Sequence, residues 1–238
     1  MIPVLTKEQA YKLDKDTIES GHLSQLELMD NAGKAVAQFF CENIQNPFSK
    51  TVVVICGKGN NGGDGVITHS YLKKYNISSM IVFTEEKHGH SKLLKKYKIS
   101  KSEYSVFNDK IKFDKYDWII DAIFGIGLSR DLSDKYISII KKINRTNNII
   151  AIDIPSGITD SENDSTVIIS KHTVTFGYSK LSHYMNPVNN CLISDIGFLK
   201  LKNSHINKID ENDVKKILNP ILCKKNIHKK QYQCNIMP

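Results

Sequence analysis

A glycine-rich segment, GKGNNGGDG at residues 57–65, combines bare backbone amides with polar side chains. Gly57, Gly59 and Gly62 satisfy the pattern GxGxxG, which connects a strand to a phosphate-binding helix in dinucleotide-binding folds. The carboxylate of Asp64 departs from that pattern, because it competes for the amide donors that a pyrophosphate would use. The segment therefore indicates a nucleotide site unlike that of a dehydrogenase. The alternative is a tight turn in which Asp64 is only a helix cap.

Two further acidic residues interrupt apolar runs that have the length of strands. Asp121 lies within WIIDAIFGIG, and Asp153 lies within IIAIDIPSG. Because an ionised carboxylate is costly in apolar surroundings, each must meet a cation or several hydrogen-bond donors. For Asp121 this favours a functional role over a structural one. Arg130, in the loop after the first run, either meets a phosphate or is simply solvated.

These segments follow apolar runs that alternate with helix-patterned stretches along most of the chain. The predicted strands are 51–57, 79–84, 117–123, 148–153, 172–177 and 191–196. The predicted helices are 6–20, 24–44, 62–75, 91–98 and 133–143, the last with Ser133 as its N-cap. The alternation predicts an α/β protein, a Rossmann-like three-layer α/β/α sandwich with a mostly parallel central sheet. Both N-terminal helices are expected to pack against the sheet.

Ligands bind at the carboxyl ends of the strands in such sheets, so the three segments should meet at one crevice. If their strands are neighbours, Asn61, Asp121 and Ser156 converge there as an amide, a carboxylate and a hydroxyl group. Such oxygen donors suit a monovalent cation better than zinc, which prefers thiolate or imidazole ligands. The eight histidines show no metal-ligand spacing, and His88 and His90 are expected on the surface of a polar loop.

Composition excludes several classes of protein. The net charge of +8 is concentrated from Lys200 onward, where nine lysines stand against three acidic residues, so the rest of the chain is nearly neutral. We therefore expect no nucleic acid as a partner. No run approaches the ~20 apolar residues of a membrane span, and the N-terminus lacks the features of a targeting segment. Five scattered cysteines without a CxxC pair indicate reduced thiols, so we expect a cytoplasmic protein without a membrane partner.

At these motifs the sequence resembles the NAD(P)H-hydrate epimerase family, the N-terminal half of bifunctional enzymes that repair hydrated nicotinamide nucleotides. The resemblance extends over about residues 2 to 200. Besides GKGNNGGDG, DAIFGIG and DIPSG, it rests on LTKEQAYKLD, LMDNAG, TVTFG with Lys180 shortly after it, and SDIG. Three loop motifs in the right order after the right strands make the resemblance specific.

The resemblance implies an isomerase that interconverts the R and S forms of hydrated NADH and NADPH at C6. It implies a potassium ion bound through Asn61, Asp121 and Ser156. The residues that it implies for substrate contact are Asn60, Asn61, Gly62, Gly63, Asp64, Gly125, Ile126, Gly127, Leu128, Ser129, Arg130, Asp131 and Asp153. Of these, Asp153 is the first candidate for the catalytic acid or base, and Asp64 is the second.

The resemblance also predicts an epimerase-like domain at 1–202, followed by a linker and basic tail at 203–238. The final segment, IHKKQYQCNI, is similar to the opening of the dehydratase half of the bifunctional enzymes. There Lys230 stands where that half has a glycine. We expect the tail to be a remnant of a lost dehydratase domain, together with its ATP- or ADP-dependent activity.

Two other functions stay open. The first is a non-catalytic scaffold or nucleotide-binding module of the same fold, which the acids Asp64, Asp121 and Asp153 argue against. The second is a dinucleotide-dependent oxidoreductase, which the lack of a catalytic Tyr-Lys pair disfavours. Glu85 and Glu86 are the only candidates for a ribose-binding acid, and we expect them in a solvated turn instead. A homodimer is one of the oligomeric states that the sequence leaves open.

Overall fold

The computed structural model describes residues 2–128, 131–159, 166–186, 189–201 and 206–208. The chain forms two compact units, and the larger runs from Leu5 to Lys202. The described part of the smaller unit is an antiparallel pair between β1 (Ile2–Leu5) and a strand at Ile206–Lys208. Neither strand was predicted, because three or four residues are too few to show a pattern. The other residues of the predicted linker and tail, 203–205 and 209–238, lie outside the described ones.

The larger unit is built around a seven-stranded sheet in which every pairing is parallel. The strands of the larger unit are β2 (Thr51–Cys56), β3 (Ser78–Phe83), β4 (Tyr104–Val106), β5 (Trp118–Ala122), β6 (Ile149–Ile152), β7 (His172–Phe176), β8 (Ser179–Lys180) and β9 (Cys191–Ser194). All but β8 belong to the sheet, in the order β4-β3-β2-β5-β6-β7-β9. The six predicted strands are confirmed with small changes at their ends, whereas β4 and β8 were missed.

The five predicted helices are also present. They are α1 (Lys7–Glu19), α2 (Gln25–Asn43), α3 (Asn60–Lys74), α4 (Ser91–Lys96) and α5 (Asp134–Ile143), with a short α6 (Ser182–Met185) and 3-10 turns at Pro47–Ser49 and Lys101–Glu103. Capping boxes define the first two starts, Thr6 with Gln9 and Ser24 with Glu27. Ser133 is the N-cap of α5, although its side chain makes no capping hydrogen bond. No helix among the described residues is long and apolar enough to cross a bilayer.

Alternate residues of each strand face opposite layers of helices. In β2, Val52 and Val54 join Phe40 of α2 in one buried cluster, whereas Val53 joins Ile140 of α5 in another. The sheet therefore has a helical layer on each side, which confirms the predicted α/β/α sandwich.

Helix α1 differs from the expectation that both N-terminal helices pack on the sheet. Its buried residues Ala10 and Leu13 cluster with Leu5 and with loop residues such as Ile126 and Phe198. Of the two helices, α2 contributes the buried residues of the sheet-facing core, and α1 adds only the partly buried Ile18. As a result, α1 forms a wall beside the loops that follow the strands.

Strands β2 and β5 are neighbours although β3 and β4 come between them in the sequence. From this pair the chain builds outward in both directions, to β3 and β4 on one side and to β6 and β7 on the other. The loops after β2 and β5 therefore diverge and leave a crevice at the carboxyl ends of the strands.

Candidate active site

A cavity of about 500 Å³ opens at this crevice. Loops after the central strands form its polar side, and α1 and α2 form an apolar wall with Ala10, Leu13 and Leu28. The ionisable side chains that line it are Tyr11, Asp14, Lys58, Asp64, Glu85, Tyr136, Asp153 and Lys180. Its volume and its few convergent polar groups are typical of a small-molecule site.

The glycine-rich loop forms the edge of the cavity. Helix α3 begins at Asn60 with Gly59 as its N-cap, two residues earlier than predicted. A Cβ atom on Gly57 would stand 2.1 Å from the carbonyl oxygen of Ile123, and one on Gly62 would stand 1.9 Å from the carbonyl oxygen of Gly57. These two positions require glycine because backbone approaches backbone there.

Asp64 is not the helix cap that the alternative interpretation of the loop assumed. Because α3 starts at Asn60, Asp64 lies in the second turn, and its side chain lines the cavity together with Asp14 of α1. Burial raises the pKa of Asp64 well above its ordinary value, and the charges of Asp153 and Asp14 raise it further. Burial raises the pKa of Asp14 as well. Asp64 is therefore a carboxylic acid that keeps its proton at pH values where an ordinary aspartate is ionised.

Asp153 follows β6 with a φ of +64°, a conformation that few residues other than glycine adopt. Its Oδ1 accepts hydrogen bonds from Lys180 Nζ at 2.7 Å and from Thr175 Oγ1 at 2.9 Å. Burial by itself raises the pKa of this carboxyl, but the charge and hydrogen bond of Lys180 outweigh burial and hold the pKa below its ordinary value. Asp153 is therefore ionised, and its Oδ2 lies 3.4 Å from where a Cβ atom of Gly125 would stand.

His183 supports the backbone of Asp153. Its Nδ1 accepts a hydrogen bond from the Lys180 amide at 3.2 Å, and its Nε2 lies 2.9 Å from the Asp153 carbonyl oxygen. Burial lowers the pKa of His183 to about 4, so the ring is neutral and Nε2 carries the proton that is donated to the carbonyl. Lys180 Nζ is also held by Thr175 Oγ1 and Phe176 O. These contacts hold the Asp153 carboxylate in one position despite its unfavourable φ.

Asp121 is fully buried at the end of β5. Its carboxylate accepts hydrogen bonds from the Ser156 amide at 2.8 Å, from Ser156 Oγ at 2.7 Å and from the Ile123 amide at 3.2 Å. Ser156 Oγ in turn accepts a hydrogen bond from the Phe124 amide at 2.9 Å. Burial nevertheless raises the pKa of Asp121 to about 6. At neutral pH the carboxyl therefore carries a negative charge that solvent does not reach.

Asn61 reaches the same loop, because its Nδ2 donates a hydrogen bond to the Phe124 carbonyl at 2.8 Å. The structure thus brings Asn61, Asp121 and Ser156 together around the backbone of Phe124. Asn61 Oδ1 is buried and has no hydrogen-bond partner among the described residues. An unpartnered amide oxygen in the same cluster as a buried carboxylate fits a cation of low charge, so the donor set agrees with the chemistry of potassium.

His90 is not the surface residue that we predicted. Its ring is buried, and its Nε2 donates a hydrogen bond to the Gly57 carbonyl at 2.7 Å. His88 accepts a hydrogen bond from the His90 amide at 3.1 Å and stacks on Phe83, with ring centroids 3.8 Å apart. Burial lowers the pKa of both histidines. The two neutral rings therefore anchor the glycine-rich loop to the end of β3.

Glu85 lies in the bend after β3, as expected, but its side chain is only 28% exposed. Its side chain lines the cavity, with Oε2 2.6 Å from Lys58 Nζ and Oε1 accepting a hydrogen bond from Tyr136 Oη at 2.8 Å. These two hydrogen bonds, with that of Lys58 the larger, lower the pKa of Glu85. Its neighbour Glu86 is exposed, as expected.

The predicted contact residues separate into three groups. Those that line the cavity are Asn60, Asn61, Asp64, Gly125, Ile126, Gly127 and Asp153. Those that do not are Gly62 and Gly63, which are buried within α3, Leu128, whose carbonyl accepts a hydrogen bond from Lys7, and Asp131, which is exposed. Ser129 and Arg130 lie outside the described residues.

Sequence reasoning missed several contributions to the cavity, of which Asp14 and Lys180 matter most for the acids. Asp14 was not singled out, although it lies one turn after Ala10 on a face of α1 that is otherwise apolar, and an acid on such a face is a usable signal. The sequence analysis named Lys180 only as a residue shortly after the TVTFG motif and gave it no role. A lone lysine just after an apolar strand run was the available signal, but its partner Asp153 is 27 residues away in the sequence.

An acid-lined cavity at the switch point of a parallel α/β sheet, with two aspartates whose pKa values are shifted in opposite directions, defines an enzyme of the Rossmann-like class suited to proton transfer. Residues 25–182 match the family model described as YjeF-related protein N-terminus. The chain belongs to this family.

Named relatives agree with the family match. An NAD(P)H-hydrate epimerase of Nitrosopumilus maritimus is 30% identical over 74% of this chain and 85% of that protein, and one of Lentilactobacillus buchneri is 33% identical over 76% and 86%. A bifunctional NAD(P)H-hydrate repair enzyme of Thermofilum pendens is 30% identical over 74% of this chain but only 36% of its own length. The crystal structure of a yeast protein, YNL200c, shares the fold with a TM-score of 0.70, covering 89% of this chain and 98% of that one at 19% identity. The resemblance seen in the sequence is thereby confirmed.

Proposed function

We propose that this chain is an NAD(P)H-hydrate epimerase, an isomerase that interconverts the R and S forms of hydrated NADH and NADPH at C6. Epimerases of that name, 30 to 35% identical over most of the chain, support the proposal. The structural observation that carries it is that Asp153 and Asp64 line one cavity, with Lys180 Nζ 2.7 Å from the Asp153 carboxylate, so that the pKa of Asp153 is lowered and that of Asp64 is raised. Inversion of a carbon that bears a hydroxyl group requires an acid and a base of this kind.

The chemistry follows from the substrate. The hydrate carries its hydroxyl group on C6, next to the ring nitrogen, so that C6 is a hemiaminal centre. The nitrogen lone pair can expel the hydroxyl group as water and leave a cation shared by nitrogen and C6, or the bond between C6 and nitrogen can open. Either route makes C6 planar and so removes its configuration. When the oxygen or nitrogen adds back from the other face, the configuration at C6 is inverted.

In the expulsion route the two aspartates divide the proton transfers. Asp64 donates its proton to the departing oxygen, and the C6–O bond breaks with its electron pair on oxygen. Water then attacks the opposite face of C6, and Asp153 takes the proton that the water loses. Exchange with solvent resets the pair, and the two residues exchange roles in the reverse direction. The negative charge of Asp153 also stabilises the transient cation.

Lys180 acts as a positioning residue in this scheme. It is 4% exposed and touches Asp153 Oδ1, so the other oxygen of the carboxylate is left for the substrate. Its charge keeps Asp153 ionised in a place where burial alone would favour the neutral form. The base is therefore ready before the substrate arrives.

We include in the proposal a potassium ion bound through Asn61, Asp121 and Ser156. The unpartnered oxygen of Asn61 and the buried charge of Asp121 support it. When bound, the ion supplies charge compensation for Asp121 rather than strong Lewis acidity, since its charge density is low. The three side chains themselves hold the loops after β2, β5 and β6 together through Phe124.

The proposed function is tested with one purified epimer of hydrated NADPH, whose conversion is followed by chromatography. We expect the wild-type protein to accelerate epimerisation over the spontaneous rate. Asp153→Asn removes the base and should lower the enzymatic rate by on the order of 10²–10⁴-fold. Asp109→Asn makes the same change at an exposed aspartate that does not line the cavity. It is the matched control and should keep the wild-type rate.

Other outcomes favour the alternatives. A wild-type protein that binds the nucleotide without accelerating epimerisation would support the scaffold module. A change in nicotinamide absorbance in the presence of a second substrate would support the oxidoreductase. An Asp153→Asn variant as active as the wild type would remove Asp153 from its assigned role.

A further inference from the structure

The cavity contains a second polar cluster that the proton transfers do not use, formed by Lys58, Glu85 and Tyr136. The Glu85 side chain is 28% exposed and that of Lys58 is 53% exposed, so both are accessible from the cavity. A carboxylate has about four lone-pair directions, and Glu85 uses one for Lys58 and one for Tyr136. Glu85 can therefore accept further hydrogen bonds from a ligand.

The order of the strands sets the distance between this cluster and Asp153. Glu85 follows β3 and Asp153 follows β6, and β2 and β5 lie between them in the sheet. Neighbouring strands are ~4.8 Å apart, so three spacings amount to roughly 14 Å. The cluster therefore faces a part of the ligand that is remote from the reacting ring.

The N-terminus of α3 lies between Glu85 and Asp153, because α3 follows β2, and β2 lies between β3 and β6 in the sheet. Its N-cap is Gly59, so no side chain caps the first amides of the helix, and Asn60 beside them lines the cavity. Free amides at a helix start favour an anionic group. Across the crevice the order is thus the hydroxyl-accepting carboxylate of Glu85, the anion-binding start of α3 with Asp64 in its second turn, and Asp153.

We propose that Lys58, Glu85 and Tyr136 form the subsite for the second ribose of the substrate, the one that carries adenine, and that Glu85 makes this subsite prefer the nucleotide without a 2′-phosphate. The proposal rests on the proposed function for the identity of the ligand. The order of a dinucleotide matches that of the crevice: ribose, pyrophosphate, then the ribose and ring that react. In doubly wound sheets an acid after a strand accepts a hydrogen bond from the ribose 2′-hydroxyl.

Charge determines the direction of the preference. The ionised carboxylate of Glu85 accepts hydrogen bonds from hydroxyl groups and repels a phosphate, whose charge is close to −2. Lys58 holds Glu85 in place and compensates part of its charge. Without Glu85, Lys58 becomes available to pair with a 2′-phosphate. A single substitution should therefore shift the preference toward the phosphorylated nucleotide.

Two unreactive probes, ADP-ribose and its 2′-phosphate, test this by isothermal titration calorimetry. We expect the wild-type protein to bind ADP-ribose several-fold more tightly than the 2′-phosphate. Glu85→Gln should weaken ADP-ribose binding about tenfold through the lost charge-assisted hydrogen bond, and should not weaken binding of the phosphate. Glu86→Gln makes the same change at the exposed neighbour and should leave the ratio of the two dissociation constants unchanged. Lys58→Met should weaken binding of the phosphate more than that of ADP-ribose.

Kinetics give a second measurement. The ratio of kcat/KM for hydrated NADH to that for hydrated NADPH should fall in Glu85→Gln through KM rather than kcat, because Glu85 does not face the reacting atoms. If the ratio in Glu85→Gln equals that of the wild type, or if the wild-type protein binds neither probe, the ribose subsite is overturned. The epimerase function is then still tested separately by the conversion assay. Conversely, a Glu85-dependent preference in a protein that does not epimerise would keep the subsite and overturn the proposed reaction.

Discussion

Asp64 and Asp153 have the same side chain and line the same cavity, yet their surroundings move their pKa values in opposite directions. Burial favours the neutral form of both. The pKa of Asp153 is lowered because Lys180 contacts its carboxylate, whereas the charges of Asp153 and Asp14 raise the pKa of Asp64 further. One lysine thus distinguishes the proposed base from the proposed acid, and two carboxyls whose pKa values are shifted apart are the expected arrangement for acid–base catalysis.

Replacing that lysine should shift the pH dependence of the reaction. In Lys180→Met, the largest influence that opposes the burial of Asp153 is lost, so its pKa rises and the carboxylate is protonated at higher pH than in the wild type. The acid limb of kcat should therefore move to higher pH, with a loss on the order of tenfold or more at pH 7.

The measurement is the rate of epimerisation as a function of pH for the wild type, Lys180→Met and the control Lys171→Met. Lys171 is an exposed lysine at the other end of β7. The control should keep the wild-type profile. A purely structural role of Lys180 would lower the rate equally at every pH, and that outcome would contradict the positioning role.

At the scale of elements, three loops from different strands meet at the Phe124 peptide. Its carbonyl accepts from Asn61 after β2, and its amide donates to Ser156 after β6. His90, after β3, holds the glycine-rich loop at Gly57. The catalytic groups therefore depend on contacts between loops, and the buried charge of Asp121 lies at their centre.

A potassium ion at this junction should stabilise the fold in a pH-dependent manner. Without a cation, the raised pKa of Asp121 means that stability falls as the pH rises from the ordinary carboxyl value toward about 6, because the buried group must then ionise. A cation offsets this only when the carboxyl is charged. We expect potassium chloride to raise the thermal midpoint by about 3 °C at pH 7.5, with the effect disappearing as the pH falls through about 6.

Differential scanning fluorimetry in potassium chloride and in choline chloride of equal strength measures the effect. Asn61→Ala should abolish it, and Asn43→Ala, an exposed asparagine of α2, should not. An equal shift in choline chloride would indicate an effect of ionic strength and contradict the site.

At the scale of the whole molecule, the larger unit depends on a sheet with a buried cluster on each face. Phe40 of α2 is fully buried in one cluster, where its ring meets Trp118 edge to face with centroids 6.0 Å apart. The same sheet aligns the strand ends that position the cavity. Damage to the core should therefore reduce stability first, and activity through it.

Phe40→Ala should lower the free energy of unfolding by about 3–5 kcal/mol, because it leaves a cavity in a packed cluster. Phe48→Ala removes a side chain that is 68% exposed and should change the free energy by no more than roughly 0.5 kcal/mol. Urea denaturation followed by circular dichroism measures both. Equal losses in the two variants would show that Phe40 is not part of the core described above.

Several expectations from the sequence are confirmed and others stay predictions. The strands, the helices and the fold class are confirmed, as is the resemblance to the epimerase family. The domain boundaries, potassium, the cytoplasmic location, the homodimer and the absence of nucleic acid as a partner stay predictions. The surface position of His90 was wrong, because its side chain is held by the carbonyl of Gly57, which is distant in the sequence.

By itself the sequence determined most of the elements and the family, because both depend on local patterns. The period of the apolar residues indicates the elements, and three contiguous loop motifs indicate the family. Only the tertiary structure decided which charges meet. Lys180 reaches Asp153, and Asp14 comes to the same cavity, because the order of the strands and the packing of α1 bring them there. Since burial and neighbouring charge set a pKa, the proposal of Asp153 as base and Asp64 as acid required the folded chain.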